Sequence, residues 1–134
     1  MSAHPYRSVV TTLLAVGTLI TLTACTEKSA EGGDAKSGVI AVRAADDACE
    51  LSRTSAPTGS ISFEVTNEGD KITEFYLYSP AGKVVSEVEG IGPGTSRTMT
   101  VKVAEAGAYT TACKPGMVGK GIRGAFTVTA HPTG

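Results

Sequence analysis

From residue 38 onward, apolar and polar positions alternate in short runs. Ile61, Phe63 and Val65 are interleaved with Ser62, Glu64 and Thr66. Met99, Val101 and Val103 are interleaved with Thr98, Thr100 and Lys102. A period of two is what a half-buried strand needs, because successive side chains leave opposite faces. Phe75 and Leu77 alternate with Tyr76 and Tyr78, and shorter runs occur at Val39–Val42, Val84–Val88, Ala108–Ala112 and Ala125–Thr129. Clusters such as Asn67-Glu68-Gly69-Asp70, Ser79-Pro80-Ala81-Gly82 and Gly90-Ile91-Gly92-Pro93-Gly94 stand between them. No window carries a helical stripe. The pattern predicts an all-β, antiparallel sandwich of about seven short strands.

The first 24 residues have a different pattern. Arg7 is the sole Lys, Arg, Asp or Glu before Glu27, and an apolar run from Val9 to Leu22 follows it. A basic start, an apolar stretch and small residues before a cut describe a secretory signal. The run is short and interrupted by Thr and Gly, which disfavours a membrane span. Leu22-Thr23-Ala24-Cys25 resembles the lipobox of bacterial lipoproteins. That resemblance implies cleavage before Cys25, lipidation of Cys25, and attachment to the outer face of the cytoplasmic membrane. Residues 25–37 are small and charged without periodicity and read as a flexible tether. The folded domain is expected over residues 38–131.

Composition narrows the function. The chain has 134 residues, a net charge of −1 and 19% charged residues. Loss of Arg7 with the signal takes the net charge to −2. No basic footprint points to nucleic acid. The length excludes a separate substrate domain. Only two histidines occur, His4 in the signal and His131 in the tail, so a histidine-based active site is not expected. The Gly116–Gly124 stretch has no helix after it and is not a phosphate loop. The chain is expected not to be an enzyme.

The chemistry-bearing stretch runs from Gly107 to Gly121. Gly107-Ala108-Tyr109-Thr110-Thr111-Ala112-Cys113 is a strand delivering a cysteine to its end, followed by Lys114-Pro115-Gly116-Met117 and a glycine-rich loop. This arrangement is similar to the ligand loop of cupredoxins, in which Cys, a following His and a following Met hold copper. The resemblance implies a cupredoxin-like Greek-key sandwich. It departs at the ligands. A type 1 copper site takes two imidazoles, a thiolate and a weak axial thioether. Here no His lies between Cys113 and Met117, and Glu74 stands where the upstream His is expected.

Cys49-Glu50, Glu74, Cys113 and Ile91-Gly92-Pro93-Gly94-Thr95-Ser96-Arg97 resemble the EfeO-type cupredoxin domain, found at the N-terminus of the periplasmic component of the bacterial Efe iron-uptake system. The resemblance implies bound copper or iron, with Cys113 and Glu74 as principal ligands, Cys49 as a third and Met117 as a weak one. It implies a role in holding or passing metal or electrons, beside a permease or a helical iron-binding subunit. Members usually continue into a large helical domain with its own metal site, which the 134 residues do not include. Asp46, Asp47 and Glu50 surround Cys49 and would add oxygen ligands suited to iron.

Two alternatives stay open at Cys49 and Cys113. After lipidation of Cys25 they are the remaining cysteines, and two thiols in an exported domain often pair as a disulfide. The chain is then a stapled structural or protein-interaction module. Otherwise both sulfurs are thiolate ligands. Met117 also suits a core gap, and Glu74 a solvated strand end.

Overall fold

The computed structural model describes residues 38–133. The expected signal (1–24), Cys25 and the tether (25–37) lie outside the described residues.

Nine strands form two sheets. They are β1 (Val39–Ala44), β2 (Cys49–Leu51), β3 (Ser55–Pro57), β4 (Gly59–Asn67), β5 (Thr73–Tyr78), β6 (Val84–Ile91), β7 (Ser96–Val103), β8 (Gly107–Cys113) and β9 (Ile122–Thr129). One sheet has the order β2-β1-β4-β7, and the other β3-β9-β8-β5-β6. The seven runs predicted from alternation are all strands. The two additions, β2 and β3, have three residues each and sit at sheet edges. Three residues are too few to show a period, so pairing alone reveals them.

The sandwich is not purely antiparallel. β1 runs parallel to β4, and β3 parallel to β9. Parallel neighbours need a crossover between them. The segment 45–58 supplies it, leaving β1, lending one edge strand to each sheet, and returning as β4.

The facing sides of the sheets carry the core. Ile40, Ile61, Phe63, Val65, Phe75, Leu77, Ile91, Phe126 and Val128 are all 2% exposed or less. Phe63 packs its ring against Phe75 and Phe126, with centroids 5.2 and 5.4 Å apart in tilted and edge-on arrangements, which suit aromatic quadrupoles. Val84 and Val85, by contrast, remain exposed on the edge strand β6.

Antiparallel pairing sorts the strand ends into two poles. The ends of β4, β6 and β8 and the starts of β5, β7 and β9 meet at one, called here the loop pole. The chain enters the domain at the other, through Gly38, and leaves it there after Thr129.

Candidate functional site

Cys113 ends β8 and is fully buried in the core between the sheets. Cys49 opens β2 in the opposite sheet. The two are joined by a disulfide with a Cα–Cα distance of 5.6 Å and a sequence separation of 64. The bond therefore bridges the sheets at the loop pole. In this redox state neither sulfur is a thiolate, and the thiolate is the form that binds metal.

Glu74 does not share this environment. Phe75 is the residue paired with Cys113 across the β5–β8 ladder. Glu74 exchanges backbone hydrogen bonds with Lys114: its N–H donates to the Lys114 carbonyl at 3.4 Å, and the Lys114 N–H donates to its carbonyl at 2.8 Å. Directly opposed residues share a face and successive residues alternate. Cys113 and Phe75 thus face the core, whereas Glu74 and Lys114 lie on the outer face. This register puts Glu74 and Cys113, expected as principal ligands, on opposite faces of the sheet.

On that outer face Glu74 belongs to a different cluster. The Tyr76 hydroxyl donates to its Oε2 at 3.0 Å. Tyr76 and Tyr78 stack with centroids 5.6 Å apart, Lys114 Nζ lies 3.9 Å from the centroid of the Tyr76 ring, and the Arg123 guanidinium 4.5 Å from that of Tyr78. The cations cover the rings and interact with their π faces. Burial raises the Tyr76 hydroxyl well above the usual tyrosine range, and the hydrogen bond to Glu74 and the charges of Glu74 and Glu87 push it the same way.

Met117 lies in a single 3-10 turn, Pro115–Met117, that follows Cys113. It is 46% exposed, and its φ of 56° puts it in the left-handed region directly after Gly116, at φ 73°. The Gly116 N–H donates to the Ile72 carbonyl at 2.7 Å, docking the turn onto the chain just before β5. Exposed Ile72, Met117 and Val118 are thereby gathered at this pole. Lys71, Lys114 and Lys120 belong to the same two segments.

Two of the acidic residues around Cys49, Asp46 and Glu50, are engaged elsewhere. The Asp46 carboxylate accepts the backbone N–H groups of Asp70 and Lys71 at 3.2 and 3.3 Å, and exposed Glu50 approaches Arg43 at 3.7 Å. A residue missed by pattern reading organises this pole. Asn67 is 1% exposed. Its amide donates to the carbonyls of Lys71 and Ile91, both at 2.7 Å, and its side-chain oxygen accepts the Gly69 N–H at 2.9 Å. The sequence signal was the Asn-x-Gly turn, which marks local geometry and not the contact with Ile91.

Among the described residues, no group of three or more His, Cys, Asp and Glu side chains is arranged to hold a metal ion. His131, the histidine of the described segment, follows β9 at the opposite pole from Cys113. The residues present do not fit a type 1 copper centre, because the sulfurs are bonded to each other, the carboxylate faces away and imidazoles are absent from the loop pole.

The family profile of the cupredoxin-like domain matches residues 12–128. The chain belongs to the cupredoxin-like domain family. Reduced auracyanin from the photosynthetic bacterium Roseiflexus castenholzii superposes with a TM-score of 0.54 and 16% identity, over 69% of this chain and 98% of that one. Auracyanin B superposes with a TM-score of 0.55 and 17% identity, over 69% and 89%. At these identities the likeness is one of fold. No curated protein matches in sequence. These similarities reach the cupredoxin level and do not reach the EfeO-type subgroup, and they offer no support for iron. The cupredoxin fold suggests copper binding or electron transfer; here that fold carries a disulfide between Cys49 and Cys113.

Proposed function

We propose that this cupredoxin-like domain is an exported, non-catalytic interaction module, anchored to the outer face of the cytoplasmic membrane through Cys25, that docks an acidic protein surface at its loop pole. The observation that carries the reading is the exposed trio Ile72, Met117 and Val118, with Lys71 and Lys120 in the same two segments, on the pole where the Cys49–Cys113 disulfide joins the sheets. Interfaces favour an apolar centre within a polar rim, and the lysines complement negative charge. The resemblance to iron-uptake cupredoxins names the partners to try first, a helical iron-binding subunit or a permease. With either partner purified, Val118→Asp and Met117→Asp should weaken binding tenfold or more, and added salt should weaken binding of the parent. Unchanged affinity in both variants would sink the reading.

Family membership favours a second reading. Once reduced, Cys49 and Cys113 offer two soft sulfur donors suited to Cu(I). Titration of the reduced and oxidised forms with Cu(I) tests it: equal copper uptake by both would overturn it.

A further inference from the structure

A concave site lies at the pole opposite the disulfide. It has a volume of about 260 Å³, and its lining includes Gly38, Arg53, Thr58, Ser60, Ile61 and His131. No Asp or Glu lines it. It is assembled from separate parts of the chain: the residue just before β1, the segment 53–61, and the segment after β9. Two hydrogen bonds hold the last two of these parts together. The Thr58 N–H donates to the Thr129 carbonyl at 2.8 Å, and the His131 N–H donates to the Thr58 hydroxyl oxygen at 3.1 Å. Thr58 accepts in that bond, so its own hydroxyl proton remains available to a ligand. Gly38 and Gly59 have φ of 102° and 128°, and a Cβ on either would meet nothing within 4 Å. The backbone there borders open space.

The Arg53 side chain supplies the strongest pointer. Its Nε is buried and has no hydrogen-bond partner among the described residues. A buried N–H of a permanently charged guanidinium that lacks an acceptor is costly, and such an orphan calls for an explanation. Nε has no accessible surface as it stands, so the half-buried Arg53 side chain must turn toward the cavity for an oxyanion there to accept from it. Guanidinium and hydroxyl donors from the segment 53–61 and an imidazole from the segment after β9 suit a group with oxygens on several sides better than a planar one.

We propose that Arg53, His131 and Thr58 form a phosphate-binding site, with Ile61 on its apolar side. The phosphate has two conceivable sources, a phospholipid headgroup or a soluble phosphate compound. The site adjoins Gly38, and the 13 residue-to-residue steps from Cys25 to Gly38 span at most about 45 Å. The headgroup source rests on the anchoring of Cys25; the soluble source does not, and neither depends on docking at the loop pole.

The test uses the full chain in neutral detergent micelles, with the Arg53 Nε–H and His131 ring signals followed by NMR. Inorganic phosphate, acetate, and micelles doped with phosphatidylglycerol or phosphatidylcholine are the probes. A saturable shift of the Arg53 Nε–H signal with inorganic phosphate supports a soluble ligand. A shift with the doped micelles and none with inorganic phosphate supports the headgroup. Arg53→Gln should weaken binding at least tenfold, read on the His131 signal. His131→Gln should weaken it several-fold, read on the Arg53 signal, with the melting temperature and the disulfide unchanged in each variant. No saturable shift with any phosphate probe overturns the proposal, as does an equal response to acetate. If Arg53→Gln fails to fold, His131→Gln alone decides: undiminished phosphate binding in that variant rejects the assignment.

Discussion

Cys113 stands across the ladder from Phe75, and Glu74, one residue earlier on β5, leaves the opposite face of the same sheet. A single-residue offset separates two chemistries. On the core side lies a bridge between the sheets. On the outer side a carboxylate accepts from Tyr76, with Lys114 over the ring. This relationship divides the expected effects of substitutions at the loop pole.

Cys113→Ser should destabilise the domain by about 4 kcal/mol, the loop-closure entropy of a 64-residue separation. For a domain of this size the melting temperature should drop by roughly 15–30 °C. Reduced parent protein should show a similar loss. Melting curves with and without reductant check this; a variant that melts with the oxidised parent would refute it.

Copper should distinguish the two faces. Oxidised protein should take up no Cu(I) at Cys49 and Cys113, and reduced protein should bind it. Glu74→Gln should leave the affinity of the reduced form within about twofold of the parent, because the carboxylate projects away from the sulfurs. Competition with a chromogenic Cu(I) chelator measures both.

Tyr76 predicts a pH effect. Its folded-state pKa lies above the unfolded value of about 10. Its stabilising contribution is therefore complete below about pH 10 and is lost as pH rises past that value, because the unfolded chain then gives up the proton first. Tyr76→Phe should flatten this alkaline loss, and Glu74→Gln should reduce it. Denaturant midpoints at pH 9, 10 and 11 provide the measurement.

Asn67→Ala should cost roughly 2–4 kcal/mol, since it strips partners from the carbonyls of Lys71 and Ile91 and from the Gly69 N–H in a buried setting. Gly69→Ala should also destabilise, because a Cβ there would collide with the Asp46 carboxylate. Urea unfolding of the two variants compares them directly.

Val118→Asp should leave stability within about 0.5 kcal/mol, because the side chain is 70% exposed. A drop in binding of a partner then reports the surface and not the fold.

Much of the fold was legible along the chain. The buried sets Ile61, Phe63, Val65 and Met99, Val101, Val103 coincide with the apolar positions of the alternating runs. The short strands at 49–51 and 55–57 were not legible, being defined by their neighbours. Nor was the parallel pairing of β1 with β4, because a period of two is the same in either direction. The candidate site was legible only as a set of residue types. Cys49 and Cys113 could be named as a pair with two outcomes, whereas Asn67, Arg53 and His131 carry no periodic signal at all.

By itself the sequence determined the class of fold and the positions of the seven longer strands, because alternation is a local property fixed by backbone geometry. It also determined that Cys113 ends a strand and opens a Pro-Gly turn. The tertiary structure alone decided what these residues meet. The β5–β8 register turned Glu74 away from Cys113, and the packing of the two sheets brought Cys49 to Cys113. The convergence of 53–61 with the segment after β9 placed Arg53 and His131 around one cavity. Each of these depends on contacts between residues distant along the chain, and no local pattern encodes which distant face a side chain will share.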